Sequence, residues 1–204
     1  MLFFIKFIIF TSLLHSSNII NNEIFKISTI DNKKTEILFE APNINILKDE
    51  DGYISFKDGD LIGLSNLNEE FNLPTYSSIF QMNAGYEYEV DFEVISSHVI
   101  ENVSFRNFNN DNIYPYENII LSEPQIMRGL VLGQISFTPY KYFANENKLE
   151  IYDAVQISIT ETDEVSFDYF LPEKKSHIFE ELYKNFVINY SSSDRSEDYQ
   201  IPSI

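Results

Sequence analysis

The segment from Glu87 to Ile95 alternates between acidic and apolar side chains. The acids are Glu87, Glu89, Asp91 and Glu93, and the apolar side chains are Tyr88, Val90, Phe92 and Val94. Successive side chains of a β-strand point to opposite faces, so this pattern predicts a strand with one buried face and one wet face. An α-helix would scatter the same acids around its circumference. The segment therefore favours an antiparallel sheet over a helical bundle.

Other short runs carry the same signal. Leu149 to Ile159 places Leu149, Ile151, Val155, Ile157 and Ile159 on one face, and Asp153 interrupts that face where a β-bulge would fit. Further short strands are predicted at Ile24 to Ile30, Thr35 to Glu40, Asn43 to Leu47, Tyr53 to Phe56 and Val165 to Tyr169. The 18 Phe and 13 Tyr residues also favour pleated, half-buried surfaces. We predict an all-β fold, an antiparallel and jelly-roll-like β-sandwich with one short C-terminal helix.

The helix is predicted to begin near Ser176, which can cap it. Phe179, Leu182, Tyr183 and Phe186 then share one face. After Tyr190 the chain becomes polar and charged, which is typical of a linker. The predicted organisation is a signal peptide at residues 1–17, a sandwich domain at 18–172, and a helix with linker at 173–204.

The first 17 residues resemble an export signal. Leu2 to Leu14 is almost entirely apolar apart from Lys6, and this run is shorter than the roughly 20 residues that span a bilayer. His15, Ser16 and Ser17 supply a polar, small-residue region for cleavage. We expect an exported protein, secreted or held in the cell envelope; an uncleaved anchor is the alternative.

Charge and composition limit the chemistry. The formal net charge of -18 opposes binding to nucleic acid or anionic lipid, because both would repel the chain. No cysteine is present, which excludes disulfides, thiolate catalysis and thiolate metal sites. The three histidines, His15, His98 and His177, have no nucleophile to activate, and no phosphate-binding loop is found. The sequence predicts no catalytic residue, no cofactor and no metal; a hydrolase using paired carboxylates is the least favoured interpretation.

Two acidic loops could offer oxygen ligands to calcium. They are Asp49-Glu50-Asp51-Gly52 and Asp58-Gly59-Asp60. Their spacing does not match the calcium-loop pattern, whereas Asp-Gly steps are common in tight turns. Hairpin turns are the preferred interpretation.

Four segments resemble parts of a known family in the same order. The first is Ser122 to Ile159, in which Ser122-Glu123-Pro124 precedes Met127-Arg128-Gly129, one strand runs on to Pro139-Tyr140, and a polar turn at Ala144 to Asn147 leads to a second strand. The others are Asn72-Leu73-Pro74, the strand Glu87 to Ser96, and Ser176 to Tyr190. Together they are similar to the N-terminal prodomain of gingipain-type cysteine peptidases over Glu69 to Ile204, although Glu70 and Phe71 stand where the family has Gly and Pro.

The resemblance implies a β-sandwich that keeps a cysteine peptidase latent and assists its folding during export. The chain itself would then not be an enzyme, since the family's Cys-His pair belongs to the peptidase domain. The implied partner is that catalytic domain, in the same polypeptide or as a separate chain.

Three arginines are candidates for contact with such a partner. Arg106 and Arg128 could fill the specificity pocket of an Arg- or Lys-specific enzyme, because a guanidinium makes strong bidentate contacts with carboxylates. Arg195, in the linker, could be the processing site. Each also has a simpler interpretation: a surface ion pair for Arg106, a structural ion pair for Arg128 and a solvated charge for Arg195.

The alternative function is a stand-alone secreted or cell-surface sandwich for adhesion or carbohydrate binding. Exposed aromatic side chains would support it, and Tyr114, Tyr116, Tyr140 and Tyr142 are possible members. Core packing of these tyrosines is the competing interpretation.

Overall fold

The structure, a computed structural model, describes residues 24–31, 33–43, 45–56, 73–106, 108, 112–127, 130–164 and 177–191. The predicted signal peptide and the predicted strand Val165 to Tyr169 lie outside these ranges. The strands are β1 (Phe25–Asp31), β2 (Lys34–Glu40), β3 (Ile46–Lys48), β4 (Ile54–Phe56), β5 (Tyr76–Met82), β6 (Tyr86–Glu101), β7 (Ile113–Tyr114), β8 (Ile119–Leu121), β9 (Gln125–Met127), β10 (Leu130–Phe137), β11 (Tyr140–Phe143) and β12 (Lys148–Glu164). The helix α1 is His177–Phe186.

The larger sheet is organised around β12, its longest strand. One side of β12 pairs antiparallel with β6 along almost its whole length. On the other side, the first residues of β12 pair with β11 and the later ones with β2. β1 extends the sheet beyond β2, and β7 extends it beyond β11. This arrangement makes β6 an edge strand of the larger sheet within the described residues.

The two alternating segments form the β6–β12 pair. The strand predicted at Glu87 to Ile95 is confirmed and extends from Tyr86 to Glu101. Its acids are exposed, whereas Tyr88, Val90 and Phe92 are half-buried. The bulge predicted at Asp153 is also confirmed, because the register with β6 shifts between Tyr152 and Ala154.

The smaller sheet has β10 at its centre, flanked by β5 on one side and by β8 and β9 on the other. The prediction of a single strand from Met127 to Tyr140 is wrong. β9 is antiparallel to β10 with Met127 opposite Leu130, so the chain reverses between these residues. It then passes from the smaller to the larger sheet at Thr138-Pro139, where proline lacks the N–H that a central strand needs.

The main core lies between the two sheets. Phe39 of β2, Phe92 of β6 and Phe137 of β10 meet there, with ring centroids 4.9 Å apart for Phe39–Phe137 and 5.2 Å for Phe92–Phe137. Val155, Ile157 and Ile159 of β12 complete the same core. Tilted and edge-on ring pairs of this kind add to the stabilisation from apolar burial. The predicted all-β antiparallel sandwich with one short helix is confirmed.

A second apolar cluster covers the other end of β12. Leu149 and Ile151 pack there with Tyr140 and Tyr142 of β11 and with Ile54 of β4. β3 and β4 form a hairpin above this cluster. The strand predicted at Asn43 to Leu47 is shorter than expected and begins at Ile46, since the Asn-rich residues before it are exposed or outside the described residues.

Candidate functional site

Arg106 lies in a turn and its side chain reaches the loop of the β3–β4 hairpin. The Nη2 atom donates to Asp49 Oδ2 at 2.7 Å and to Asp51 Oδ2 at 3.2 Å. The guanidinium carbon is also 4.7 Å from the centroid of the Tyr53 ring. We call these four residues the Arg106 cluster. The Arg106 side chain remains 61% exposed, so the cluster lies at the surface.

Local backbone structure positions the cluster. Gly52 adopts a positive φ of 91°, and its N–H donates to the Asp49 carbonyl at 3.1 Å. The Tyr53 N–H donates to Asp49 Oδ1 at 2.8 Å, which leaves Oδ2 directed at Arg106. The loop is therefore the hairpin turn that the Asp-Gly step predicts, with both its aspartates engaged by a cation of the same chain.

The electrostatics of the cluster follow from these contacts. The Arg106 hydrogen bond lowers the pKa of Asp49, and the contacts with Asp49 and Asp51 raise the pKa of Arg106. Because all these groups are solvated, the ion pairs contribute little to stability. The Arg106 guanidinium can pair with a carboxylate of another protein only if that carboxylate competes with Asp49 and Asp51.

The other two arginine candidates, Arg128 and Arg195, lie outside the described residues. Of the three candidates, the structure describes Arg106 alone. The described residues nearest in sequence to Arg128 and Arg195 are Met127 and Ser191, and the Ser191 N–H donates to Gln81 Oε1 of β5 at 3.0 Å. The Tyr183 hydroxyl of α1 donates to the Met127 carbonyl at 2.9 Å.

Residues Val187 to Ser191 follow α1 and pack along the free edge of β5; we call them the exit segment. The Ile188 N–H donates to the Ile79 carbonyl at 3.0 Å. The Gln81 N–H donates to Asn189 Oδ1 at 2.6 Å, and Asn189 Nδ2 donates to the Gln81 carbonyl at 2.8 Å. The Asn189 side chain thus makes the two hydrogen bonds with Gln81 that the backbone of a neighbouring strand would otherwise make. Its anchoring role was not predicted from the sequence, although the Asn-Tyr pair that ends the family-like helix marks the position.

The tyrosines proposed for an adhesive surface do not form one. Tyr140 and Tyr142 are buried in the second apolar cluster, whereas Tyr116 is 92% exposed. For the two buried residues, core packing is the correct interpretation, since their rings fill the space beneath the β3–β4 hairpin.

Three further properties concern only the described residues. None of their His, Asp or Glu side chains cluster in threes as a metal site would require. None of their helices is long and apolar enough to cross a membrane. His98 Nδ1 lies 2.9 Å from both carboxylate oxygens of Asp153, and both side chains are partly exposed.

Comparison with known proteins identifies similar sequences. The sequence profile of the Propeptide_C25 family matches residues 92–197, which is more than half of the chain. Gingipain R2 from two strains of Porphyromonas gingivalis is 29% identical over 90 residues. That alignment covers 43% of this chain and 12% of each relative, so the chain spans a small part of their length.

Solved structures share the fold. The complex of Porphyromonas gingivalis RgpB pro- and mature domains superimposes with a TM-score of 0.61 and 20% identity, covering 84% of this chain and 100% of that chain. A structure concerning zymogenic latency of gingipain K from the same organism gives a TM-score of 0.52 and 10% identity, covering 68% of this chain and 92% of that chain.

Proposed function

This chain belongs to the Propeptide_C25 family, and from that premise we propose that it is a non-catalytic prodomain that keeps a gingipain-type cysteine peptidase latent and assists its folding during export. The family match over residues 92–197 carries this proposal. It includes most of β6, all of the smaller sheet's β8 to β10, and the exit segment. The absence of cysteine agrees with a role that restrains a cysteine peptidase without acting as one.

An inhibition assay tests the proposal. The chain from Asn18 onward, titrated into the catalytic domain of Gingipain R2, should lower the rate of peptide hydrolysis in a saturable way and should hydrolyse no peptide by itself. The chain after thermal unfolding serves as the matched control. Full peptidase activity at a saturating concentration of folded chain would contradict the proposal.

We also propose that Arg106 or Arg128 fills the specificity pocket of the peptidase. The Arg106 side chain is 61% exposed, so a carboxylate of the peptidase can reach its guanidinium and compete with Asp49 and Asp51 for it. Arg→Ala at the responsible position should weaken inhibition by about tenfold to a hundredfold, the usual effect of losing a charge-assisted contact. Arg→Lys at the same position tests for bidentate recognition. Unchanged inhibition by Arg106→Ala and by Arg128→Ala would remove this mechanism.

Arg195 is our candidate for the processing site, with residues 18–172 as the sandwich and 173–204 as helix and linker. The last described residue, Ser191, donates its N–H to Gln81 Oε1 at 3.0 Å, so anchoring extends to a point four residues before Arg195. Mass spectrometry of the chain after incubation with peptidase should show cleavage after Arg195, and Arg195→Ala should abolish that product. Cleavage elsewhere would exclude this site.

We further propose export with removal of residues 1–17, so that the mature chain is secreted or lies in the cell envelope. The apolar run Leu2 to Leu14 supports this. The mass of the chain recovered after export should correspond to an N-terminus at Asn18. Recovery with Met1 retained would favour an anchor.

A stand-alone adhesive or carbohydrate-binding sandwich is the weaker candidate. The family match favours the propeptide, and the burial of Tyr140 and Tyr142 removes half of the proposed aromatic surface.

A further inference from the structure

The outer edge of β6 has no partner strand within the described residues. β6 hydrogen-bonds to β12 on one side only. Every residue from Glu93 to Val99 is exposed, including Val94 at 40%, Ile95 at 57% and Val99 at 44%. Such an edge presents backbone N–H and C=O groups to which another strand could pair, and a register shift at Ile95 divides it into a stretch up to Val94 and a stretch from Ser96.

The side chains that oppose pairing with another strand are unevenly distributed along the β6 edge. From Glu87 to Glu93 every second side chain is a carboxylate, whereas Val94 to Val99 carries no acidic or lysine side chain. Two copies of β6 would bring their rows of carboxylates together, and like charges on adjacent strands are destabilising. The acids therefore oppose self-association while leaving the edge open to a strand of positive charge.

The opposite face of the same edge has a groove of about 490 Å³ with both apolar and polar side chains in its lining. Tyr88, Val90 and Phe92 line it from β6, Ile120 lines it from β8, and Glu117 and Lys141 add one charge of each sign beside Tyr116. Tyr116 is 92% exposed and Ile120 is 53% exposed. An added strand on β6 would direct alternate side chains toward this groove and toward the acidic row.

We propose that the β6 edge from Glu89 to Val99 is a docking surface for an extended segment of the peptidase domain in which basic and apolar side chains alternate. The backbone of that segment adds a strand to the larger sheet, its apolar side chains enter the groove, and its basic side chains pair with Glu89, Asp91 and Glu93. The identity of the partner rests on the proposed function. A nucleic acid or an anionic lipid surface would be repelled by the same carboxylates.

Lysine substitutions on the edge provide the test. The full chain from Asn18, carrying Ile95→Lys or Val99→Lys, is titrated into Gingipain R2 catalytic domain, and the Kd is measured at low and high salt. Each variant should weaken binding about tenfold or more, because lysine on an edge strand opposes pairing and would face a basic segment. Ile30→Lys is the matched control: Ile30 is 63% exposed and lies on β1, at the opposite edge of the same sheet.

Hydrogen exchange of the wild-type complex gives a second measurement. The amides between Val94 and Val99 should exchange more slowly in the complex than in the free chain. Suppose that the wild type binds. If the edge variants then bind as well as Ile30→Lys, or if these amides exchange at the same rate in the complex as in the free chain, the docking surface is wrong and the proposed function stands. If the wild type does not bind, both proposals are overturned.

Discussion

At the scale of single residues, buried polar side chains hold the chain where it changes sheets. Asn118 is 6% exposed, and its Nδ2 donates to the Thr138 carbonyl at 2.7 Å and to the Tyr140 carbonyl at 2.9 Å. Its own carbonyl accepts from the Thr138 N–H at 2.8 Å. These contacts flank Pro139, so one asparagine donates hydrogen bonds to carbonyls on both sides of the crossing between β10 and β11.

Asn118→Ala should lower the free energy of unfolding by about 2 kcal/mol, because it removes the donor from two carbonyls that remain buried. Urea denaturation monitored by circular dichroism measures this change. Asn145→Ala is the control, since Asn145 is exposed and its replacement should change stability by less than about 0.5 kcal/mol. Equal effects of the two substitutions would contradict the role assigned to Asn118.

Buried tyrosines predict how stability depends on alkaline pH. Burial raises the pKa of Tyr152 to about 12, and burial also raises the pKa of Tyr88 and Tyr140. An unfolded tyrosine has a pKa of about 10. The folded state therefore retains these protons longer, and the resulting stability is fully present below about pH 10 and is lost as the pH rises toward 12.

The loss should appear as a fall in the urea midpoint between about pH 10 and pH 12. Tyr152→Phe should make that fall shallower, because its ring packing remains and its titration is removed. Tyrosinate absorbance should show that some of the 13 tyrosines ionise only with unfolding. Identical pH profiles of the wild type and Tyr152→Phe would exclude a contribution from Tyr152.

At the scale of elements, α1 and the exit segment form one unit on the smaller sheet. Tyr183 of α1 and Val187 pack against Leu130 and Leu132 of β10, and all four are buried. The exit segment then covers the edge of β5 that β10 does not occupy. The hydroxyl of Tyr190 also donates to Glu180, which is buried on α1. The helix and the exit segment are therefore both fixed to the sandwich.

Asn189→Ala should destabilise this unit by about 2 kcal/mol, since the Gln81 N–H and carbonyl both lose their partner. Hydrogen exchange should become faster at the Gln81 amide while the amides of β12 keep their protection. Asn185→Ala, on the exposed face of α1, is the matched control and should leave the exchange at Gln81 unchanged. Uniformly faster exchange throughout the sheets would instead indicate global destabilisation.

At the scale of the whole molecule, charge is strongly unbalanced. The sequence carries 32 acidic and 14 basic residues. The acidic side chains of β6 and those of the surface loops repel one another, and added salt screens this repulsion. The same excess of negative charge favours a basic partner.

Raising the ionic strength from about 0.01 M to about 0.5 M should therefore raise the melting temperature, because the Debye length shortens from about 30 Å to less than 10 Å. We expect a rise of about 2–4 °C, which for a chain of this size corresponds to about 1 kcal/mol. Calorimetry in buffers of increasing sodium chloride concentration measures it. A fall in melting temperature would show that attractive ion pairs dominate over repulsion.

Side-chain patterns along the chain were sufficient to predict local structure wherever one face of an element is buried and the other is wet. The alternation from Glu87 to Glu93, the interruption at Asp153 and the spacing of Phe179 and Tyr183 each identified an element, because burial of one face imposes a period on the side chains. The order of the family-like segments likewise indicated a prodomain, since that order is a property of the sequence alone.

What lies between and beyond those elements depends on how they pack together. The reversal between Met127 and Leu130 was not predicted, because apolar side chains continue from one strand into the next and Gly129 was assigned to the strand. The partners of Arg106 and Asn189 are distant in sequence, and a hydrogen bond between distant residues has no local signal. The open edge of β6 could not be predicted for the same reason: whether a strand lies at the edge depends on which other strands reach it, not on its own residues.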